Sequence, residues 1–539
     1  MKRFMVVLVM ICLIGWMAAC SSSTGSGNKT GGDTGSSVNN SGSNGSSGNN
    51  GADNAASNKK FTITSIAGTW ASPIPAPDGE GVKKINERFN VDFQPQFVPY
   101  DEYANKLPIV MAAGDLPDRI GMEGADANFV KWAKQGAFLP LNDYIDQYET
   151  LKAVPDYVWD AVTVDGKIYA IPQYFPPKYG KKPIIRKDWL DNLGLPMPTN
   201  YEELKQVAIA FTKNDPDRNG VDDTYGIGLA QRIVYGAWMG VAWDSGWYHR
   251  NEQGQLIPGG ISESFKQQIQ LLHDLYQEGA IHKDWAVTKG TDARNDFFAG
   301  KFGIWYEQPY DIGEQRFKTL KELHPDAELA VIPPFVQDDG QQGFLSLPGF
   351  YEITALNANL KDDPEKVHRI LEIEDYFRKF IPVDQRNPDN PDFDWQNGGV
   401  GVGYDMVNGV AIDNVDMLDP QPQNYIVNRY WAPNDEANEP AKVLSDPFTV
   451  SFVQNAVDLL ANTKFYVDPV NRIHSPELAA RGSELNKILE EYQTKMIVGQ
   501  IPISDWDRMV EDYLNQGGQI VIDEVNKILD ETGITGEWR

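Results

Sequence analysis

The chain has 539 residues, a net charge of −28 and only two cysteines. That length exceeds what one hydrophobic core fills and fits two domains of ordinary size. The acidity opposes nonspecific attraction to nucleic acid and to anionic lipid headgroups, so composition excludes both as electrostatic partners.

Lys2 and Arg3 open the chain, and an apolar run from Phe4 to Trp16 follows. The run closes on Met17-Ala18-Ala19-Cys20 and gives way to serine, glycine and asparagine. A basic start, an apolar stretch too short to span a bilayer and small residues before a cut together predict an export signal. Cysteine after Ala-Ala resembles the lipobox of bacterial lipoproteins, with Met17 where leucine is usual. The resemblance implies a signal peptide at residues 1–19 and lipidation of Cys20, which tethers the protein to the extracellular face of the cell membrane. Two or more acyl chains hold such an anchor far more firmly than one. Residues 20–60 then form the lipidated cysteine and a disordered Ser/Gly/Asn linker, because so little apolar surface cannot offset the ordering entropy. Its reach is on the order of 30–37 Å. Cys12 leaves with the signal, so the mature chain has no second thiol for a disulfide.

The body begins near Phe61. Phe61-Thr62-Ile63-Thr64-Ser65-Ile66 alternates as a strand does. Gly79 to Asn90 carries Val82, Ile85 and Phe89 at helical spacing. Val91 to Phe97 is strand-like, with Pro95 favouring a sheet edge or a bulge. A helix is predicted from Asp101 to Ala113, and Leu116-Pro117-Asp118-Arg119-Ile120 leads into another strand. This β-α-β-α-β order argues for a mainly parallel sheet covered by helices. The C-terminal part is helical: Ser475-Pro476-Glu477 starts one helix, Ser504 with Asp507 forms a capping-box variant, Gly517-Gly518 stops that helix, and another runs from Gln519 to about Asp530.

Several segments, in order, resemble the extracellular solute-binding proteins of carbohydrate ABC importers. They are Asp101-Glu102-Tyr103 with Lys106-Leu107, Ala113-Gly114-Asp115-Leu116-Pro117-Asp118, Ile168-Tyr169-Ala170-Ile171-Pro172, and Ile185-Arg186-Lys187-Asp188-Trp189-Leu190 with Leu193-Gly194-Leu195 and Pro198-Thr199. The ending Ile497-Val498-Gly499-Gln500, Asp505-Trp506-Asp507, Gly517-Gly518 and Asn526 is similar as well. The likeness is nearest to the large oligosaccharide-binding lipoproteins of Gram-positive bacteria. It implies an α/β fold of two periplasmic-binding-protein-like lobes around a hinge, with a helical C-terminal segment. One lobe is expected from 61–175 plus 345–396 and the other from 176–344 plus 397–539. Crossings between them are expected near Gln173 to Gly180, Phe344 to Gly349 and Asn397 to Tyr404, where glycine or proline is frequent.

Asp215-Pro216-Asp217-Arg218-Asn219-Gly220-Val221-Asp222-Asp223 sets oxygen donors at positions 1, 3, 5 and 9 of a tight loop, with glycine at 6 and the Val221 carbonyl at 7. That is the ligand order of an EF-hand calcium loop. Position 12 is Gly226 in place of the bidentate glutamate, so Thr224, Asp222 or water must substitute. The expected metal set is Asp215, Asp217, Asn219, Val221 and Asp223, with a structural role for Ca2+.

Pyranose rings offer apolar faces and a rim of hydroxyls, so a sugar site wants flat aromatic platforms beside carboxylates, amides and guanidinium. Trp70 follows the first strand, where a cleft outside a strand's carboxyl end lies. Trp70, Tyr174 and Trp305 are the first expected platforms. Trp238, Trp247, Tyr351 and Trp431 come next, with Asp101, Asp118 and Glu307 as polar partners.

Catalytic signatures are missing. No Gly-x-Ser-x-Gly, His-Glu-x-x-His or Walker loop occurs, and spacing selects no carboxylate pair from 76 acidic residues. The run Gly398 to Gly403 lacks the flanking strand and helix of a dinucleotide site. The expected activity is capture of an oligosaccharide by a monomeric, membrane-anchored receptor that serves an ABC permease by hinge closure. A secreted glycoside hydrolase or lyase, or a binder of a non-sugar solute, stands as the alternative.

Overall fold

Alternation in the first strand buries Phe61 and Ile63 and leaves Thr62 exposed, and β1 runs Phe61–Thr69. The computed structural model describes residues 59–539 except 70, 72, 232–244, 311, 415 and 427–429, and the Asp101 side chain also lies outside the described set. The helix α1 (Glu80–Phe89) buries Val82, Ile85 and Phe89 on one face. It ends at Asn90 in the left-handed region (φ 50°), a conformation asparagine tolerates. The strand β2 (Val91–Pro99) pairs parallel with β1 from Phe61↔Val91 to Thr69↔Pro99. It lies at the sheet edge, where the missing amide of Pro95 costs no ladder bond. The helix α2 (Tyr100–Ala113) leads to β3 (Arg119–Met122), which is parallel to β1 on its other side. Two later strands, β4 (Ala170–Tyr174) and β10 (Phe350–Leu356), complete the order β2–β1–β3–β10–β4, with β10 antiparallel to both neighbours.

A second sheet has the order β8–β5–β7–β6, from β5 (Lys182–Arg186), β6 (Tyr225–Ile227), β7 (Phe302–Glu307) and β8 (Leu329–Val331). Successive residues point to opposite faces, so Ile185 and Ile304 enter one core while Ile184 and Trp305 enter another. The first sheet has a core of its own around Ile63, Ile120, Ile171 and Ile353. A small third sheet joins β9 (Phe344–Leu345), β11 (Phe465–Val467) and β12 (Glu537–Trp538).

The chain passes between the two large sheets first from Tyr174 through a single turn at Pro177–Tyr179 to Lys182, and again between Leu345 and Phe350. There Gly349 adopts φ 90°. The third expected crossing is displaced. Gly398, Gly399 and Gly401 take φ of 85°, 99° and 77° and close a tight reversal into the hairpin Tyr404–Val407/Val410–Asp413. Tyr425, Ile426 and Trp431 still pack in the first core, whereas Ala441 packs in the third. The last passage therefore lies between Trp431 and Ala441, and these late core residues side with the first lobe.

At the C-terminus, Ser475 caps α5 (Pro476–Ile497) by accepting from the Leu478 amide. Ser504 does not cap its helix. A single turn at Ile503–Asp505 precedes α6 (Trp506–Tyr513), which leaves Asp505 as the flanking residue with no side-chain bond. Gly517 (φ 116°) makes a kink that leads into α7 (Gln519–Thr532).

Lys182 opens β5 fully buried, with Nζ donating to the carbonyls of Gly180 (2.9 Å) and Lys181 (3.2 Å) beneath the Phe344 and Phe465 rings. Burial pushes its ammonium down from 10.5 to about 7. The folded chain thus releases this proton well before the unfolded chain does. The stability cost of a charged Lys182 is complete below pH 7 and is relieved as pH rises toward 10.5. Lys182→Met is expected to be more stable than the parent by about 1–3 kcal/mol at pH 6 in urea unfolding, with the gain shrinking by pH 10. A constant difference across that range would refute the account.

Candidate functional site

The carboxyl edge of the first sheet faces a cavity of about 700 Å3. Gly68 and Thr69 end β1 there, Gln173 and Tyr174 end β4, and Tyr351 and Glu352 begin the antiparallel β10 at the same edge. Gln308 and Tyr310, just after β7, supply the opposing wall, and residues from 418 to 443 close one end. Gly68 is required: a Cβ there would stand 2.3 Å from the Tyr100 ring. With that space open, the Tyr100 hydroxyl donates to Glu352. Burial first, then Glu352, pushes this phenol far above its usual range.

Ring faces recur around the cavity. Tyr179 and Tyr310 lie 3.9 Å apart between centroids at 31°, and Phe175 sits 6.2 Å from Tyr351. The Tyr351 hydroxyl donates to Glu123 at 2.7 Å. Tyr174 meets Trp431 edge-on at 5.2 Å. Its hydroxyl donates to Asp435 at 2.5 Å. Asp435 also accepts from the Lys178 amide at 3.0 Å, while its carbonyl accepts from the Tyr179 hydroxyl at 2.8 Å. Burial pushes the Asp435 carboxyl up, against the lowering effect of its Tyr174 and Lys178 donors. One residue thus fixes Tyr174 through its carboxylate and Tyr179 through its main-chain carbonyl.

Of the residues singled out from sequence, Tyr174 and Tyr351 line this cavity. Trp431 is buried behind Tyr174 and does not line it. Trp305 faces inward from β7 into the third core, since the alternation that exposes one face of a strand hides the next residue. Glu307 is buried too, accepting from Arg294 and from the Gln308 amide at 3.0 Å. Asp118 joins elements away from the cleft: it accepts from the Thr64 amide (2.8 Å) and from Lys366 (2.7 Å) on the helix α4 (Pro364–Arg378). Trp247 is in the second core, its amide donating to Asp468 at 2.9 Å. Trp70, Trp238, Cys20 and the Asp101 side chain lie outside the described residues. Sequence reasoning missed Tyr310 and Arg386 and did not single out Tyr179, although it lies within the predicted first crossing. Tyr310 obeys the strand-end rule applied to Trp70, but Arg386 carries no local signal.

The acidic loop forms a tight turn after α3 (Tyr201–Lys213). Asp215 accepts from the amides of Asn219 (3.0 Å) and Gly220 (3.1 Å), and Asp215 and Arg218 take positive φ. The Asn219 side-chain nitrogen donates to Asp217 (2.9 Å) and Asp223 (3.3 Å). Among the described residues no group of three or more His, Cys, Asp or Glu side chains is arranged to hold a metal ion. The donor set nonetheless suits a hard cation. Burial above all, with smaller contributions from Asp215 and Asp223, pushes the Asp217 carboxyl up against the lowering effect of the Asn219 amide. One expectation is corrected, and the departure at position 12 finds its reason. Thr224 is buried and donates to the Phe211 carbonyl at 2.7 Å, which removes it as a replacement ligand. Gly226 cannot be an acid in this fold, because a Cβ there would lie 2.1 Å from the Ala208 carbonyl oxygen.

Asp435→Ala is expected to cost about 2–3 kcal/mol in urea unfolding, and Tyr174→Phe about 1 kcal/mol, both with unchanged m-value. An Asp435→Ala protein as stable as the parent would rule out the Asp435 carboxylate as a brace of the first crossing.

Comparison with known proteins fits this geometry. Among curated relatives, the polygalacturonan/rhamnogalacturonan-binding protein YtcQ of Bacillus subtilis (strain 168) is 26% identical over 460 residues, covering 83% of this chain and 87% of YtcQ. Lipoprotein LipO of the same strain is 25% identical over 496 residues, covering 88% and 93%. A solved HMO-binding, ABC-transporter-associated solute-binding protein from Bifidobacterium longum infantis superposes with TM-score 0.65 at 19% identity, covering 88% of this chain and 100% of that one. The alginate-binding protein AlgQ2, solved without calcium ion, superposes with TM-score 0.62 at 20% identity, covering 87% and 98%. These neighbours share the two-lobed fold. The family description "Bacterial extracellular solute-binding protein" matches residues 71–372, more than half of the sequence, and the chain belongs to that family.

Proposed function

We propose that this protein is a lipid-anchored extracellular receptor that binds an oligosaccharide in the cleft, closes about its hinge and presents the ligand to an ABC permease. One observation carries the reading. Ring faces from both lobes, Tyr351 on one side and Tyr310 on the other, flank a cavity whose remaining polar groups are mostly amides. Apolar pyranose faces and hydroxyl rims match that combination. Relatives named for polygalacturonan, rhamnogalacturonan and HMO binding support a carbohydrate ligand. LipO, named a lipoprotein, supports the Cys20 anchor, and no helix among the described residues is long and apolar enough to cross a membrane. Trp70 is part of the proposal, since its neighbours Thr69 and Ala71 are in the wall.

Release of the ligand unchanged is the favoured outcome. Glycoside hydrolysis uses a pair of carboxyl groups. Glu352 is the one carboxylate among the described lining residues, and the Tyr100 hydroxyl already occupies it. Calorimetry with an oligosaccharide panel is the direct test. Tyr351→Ala and Tyr310→Ala should each weaken the best ligand by about tenfold or more, at about 1–3 kcal/mol per lost platform. Appearance of shortened products on incubation would replace this reading with the hydrolase one.

The proposal includes calcium in the 215–223 loop, held by Asp215, Asp217, Asp223, the Asn219 amide oxygen and the Val221 carbonyl. The ion would cross-brace a loop in a body that has no cysteine. At a calcium level 100 times the Kd, binding stabilises by about 2.7 kcal/mol. EDTA should therefore lower the melting temperature, and Asp217→Ala should be insensitive to it. An EDTA-independent parent would dismiss the loop as a metal site.

A further inference from the structure

This step rests on the oligosaccharide-receptor reading and narrows its ligand. The main cavity does not end at its closing loop. A second cavity of about 470 Å3 shares Arg386, Gln423, Tyr430 and Val443 with it, and continues past Asn397 and Ile412. A ligand that fills both chambers must pass Arg386.

Arg386 is the one cation among the described residues that line the main cavity. It is half-buried and forms no ion pair among the described residues, in a chain of net charge −28. Three restraints hold it in place. Its amide donates to the Val383 carbonyl at 3.1 Å, its Nε donates to the Ile381 carbonyl at 2.9 Å, and its guanidinium carbon sits 5.3 Å from the Tyr430 ring centroid. The Phe380 ring flanks the same group at 5.8 Å. Nη2 is buried with no hydrogen-bond partner among the described residues. A buried donor left unsatisfied costs about 1–3 kcal/mol, and desolvating a charge without a partner costs more. Glu314 and Asp413 line the second chamber together with Arg386 and Lys379, yet among the described residues no acid pairs with Arg386, which stands at the junction of the two chambers. A planar, pre-oriented guanidinium is the side chain best suited to a carboxylate.

We infer that the ligand is an acidic oligosaccharide: a chain of sugars that runs from the main cavity into the second chamber and places a uronate carboxylate against Arg386. The carboxylate supplies the missing counter-charge, while Tyr430, which lines both chambers, offers its ring to a neighbouring sugar. The net charge of −28 and the Glu314 and Asp413 carboxylates of the second chamber oppose an anionic ligand at long range. Recognition therefore depends on close contact more than on long-range steering.

The test is calorimetry on the full chain with tetragalacturonate, neutral galactotetraose and monomeric galacturonate. Tetragalacturonate is expected to bind about 10- to 100-fold tighter than galactotetraose, the worth of a charge-assisted contact, and the monomer is expected to bind far more weakly than the chain. Arg386→Gln should bring tetragalacturonate down to the neutral level, and Arg386→Lys should fall between. If Arg386→Gln does not fold, the parent still decides: rising salt should weaken tetragalacturonate and leave galactotetraose unchanged. Equal affinity for the two tetrasaccharides, tighter binding of the neutral one, or full tetragalacturonate affinity in a folded Arg386→Gln protein would overturn the inference and leave the receptor reading standing. Failure of every glycan in a broad panel, acidic and neutral alike, would remove both.

Discussion

The carboxylate of Asp435 accepts from the Tyr174 hydroxyl and the Lys178 amide while its own carbonyl accepts from Tyr179, so one residue grips the whole first crossing. Asp435 itself belongs to the last passage, between Trp431 in the first core and Ala441 in the third. Two of the three connections between the sheets are thus bound to one another. A rotation of one lobe must turn both together, which limits closure to directions that keep these three bonds intact. The adjacent Lys178–Glu436 pair at 2.8 Å adds little, because its acid is solvent-exposed. Tyr174 is also cleft wall. Ligand contact and hinge geometry therefore meet in one side chain.

The body holds no cysteine, and its charged interior contacts do not replace covalent bridges. Arg119 and Glu374 form a fully buried pair between β3 and α4, and Arg378 donates to the Pro172 carbonyl at 2.8 Å. Buried pairs of this kind roughly balance desolvation against attraction. Lys182 is a net cost while protonated. Apolar burial in separate clusters must supply the stability, and the charged contacts select which strand lies beside which helix. Arg119–Glu374 is the clearest case, tying the first sheet to the helix that follows β10.

The early β-α-β-α-β order was legible because each element there expresses its own period within a few residues. Pro95 pointed to an edge or a bulge, and the edge is what the sheet shows. The family-like motifs proved to be fold-forming residues. Arg186 pairs with Asp188 at 2.6 Å, Trp189 and Trp506 are fully buried, and Asn526 clamps Leu256 through both its amide and its carbonyl. Residues with several local obligations leave a readable trace. Cleft residues do not: Tyr310, Arg386 and Gln423 come from segments far apart in sequence, and only tertiary folding makes them neighbours. Expecting tryptophan as the platform was chemically sound but misplaced Trp305 and Trp247, because strand alternation and core demand claimed them first. The third crossing failed for a related reason. Consecutive glycines signal positive φ, and positive φ serves a tight reversal as readily as a hinge.

Closure by ligand requires contacts that differ between the two states. A ligand held only by the first-sheet edge, through Tyr351 and the end of β1, binds open and closed forms alike and shifts nothing, however tightly it binds. Discrimination must come from groups on the opposing wall. Gln308 and Tyr310 follow directly from β7, so their distance to Tyr351 changes whenever the second sheet turns relative to the first. Tyr310 in turn rests on Tyr179 in the crossing held by Asp435. The energy available for closure is then the part of binding that reaches Tyr310 and Gln308, and a chain long enough to touch both walls has more of it than a single sugar.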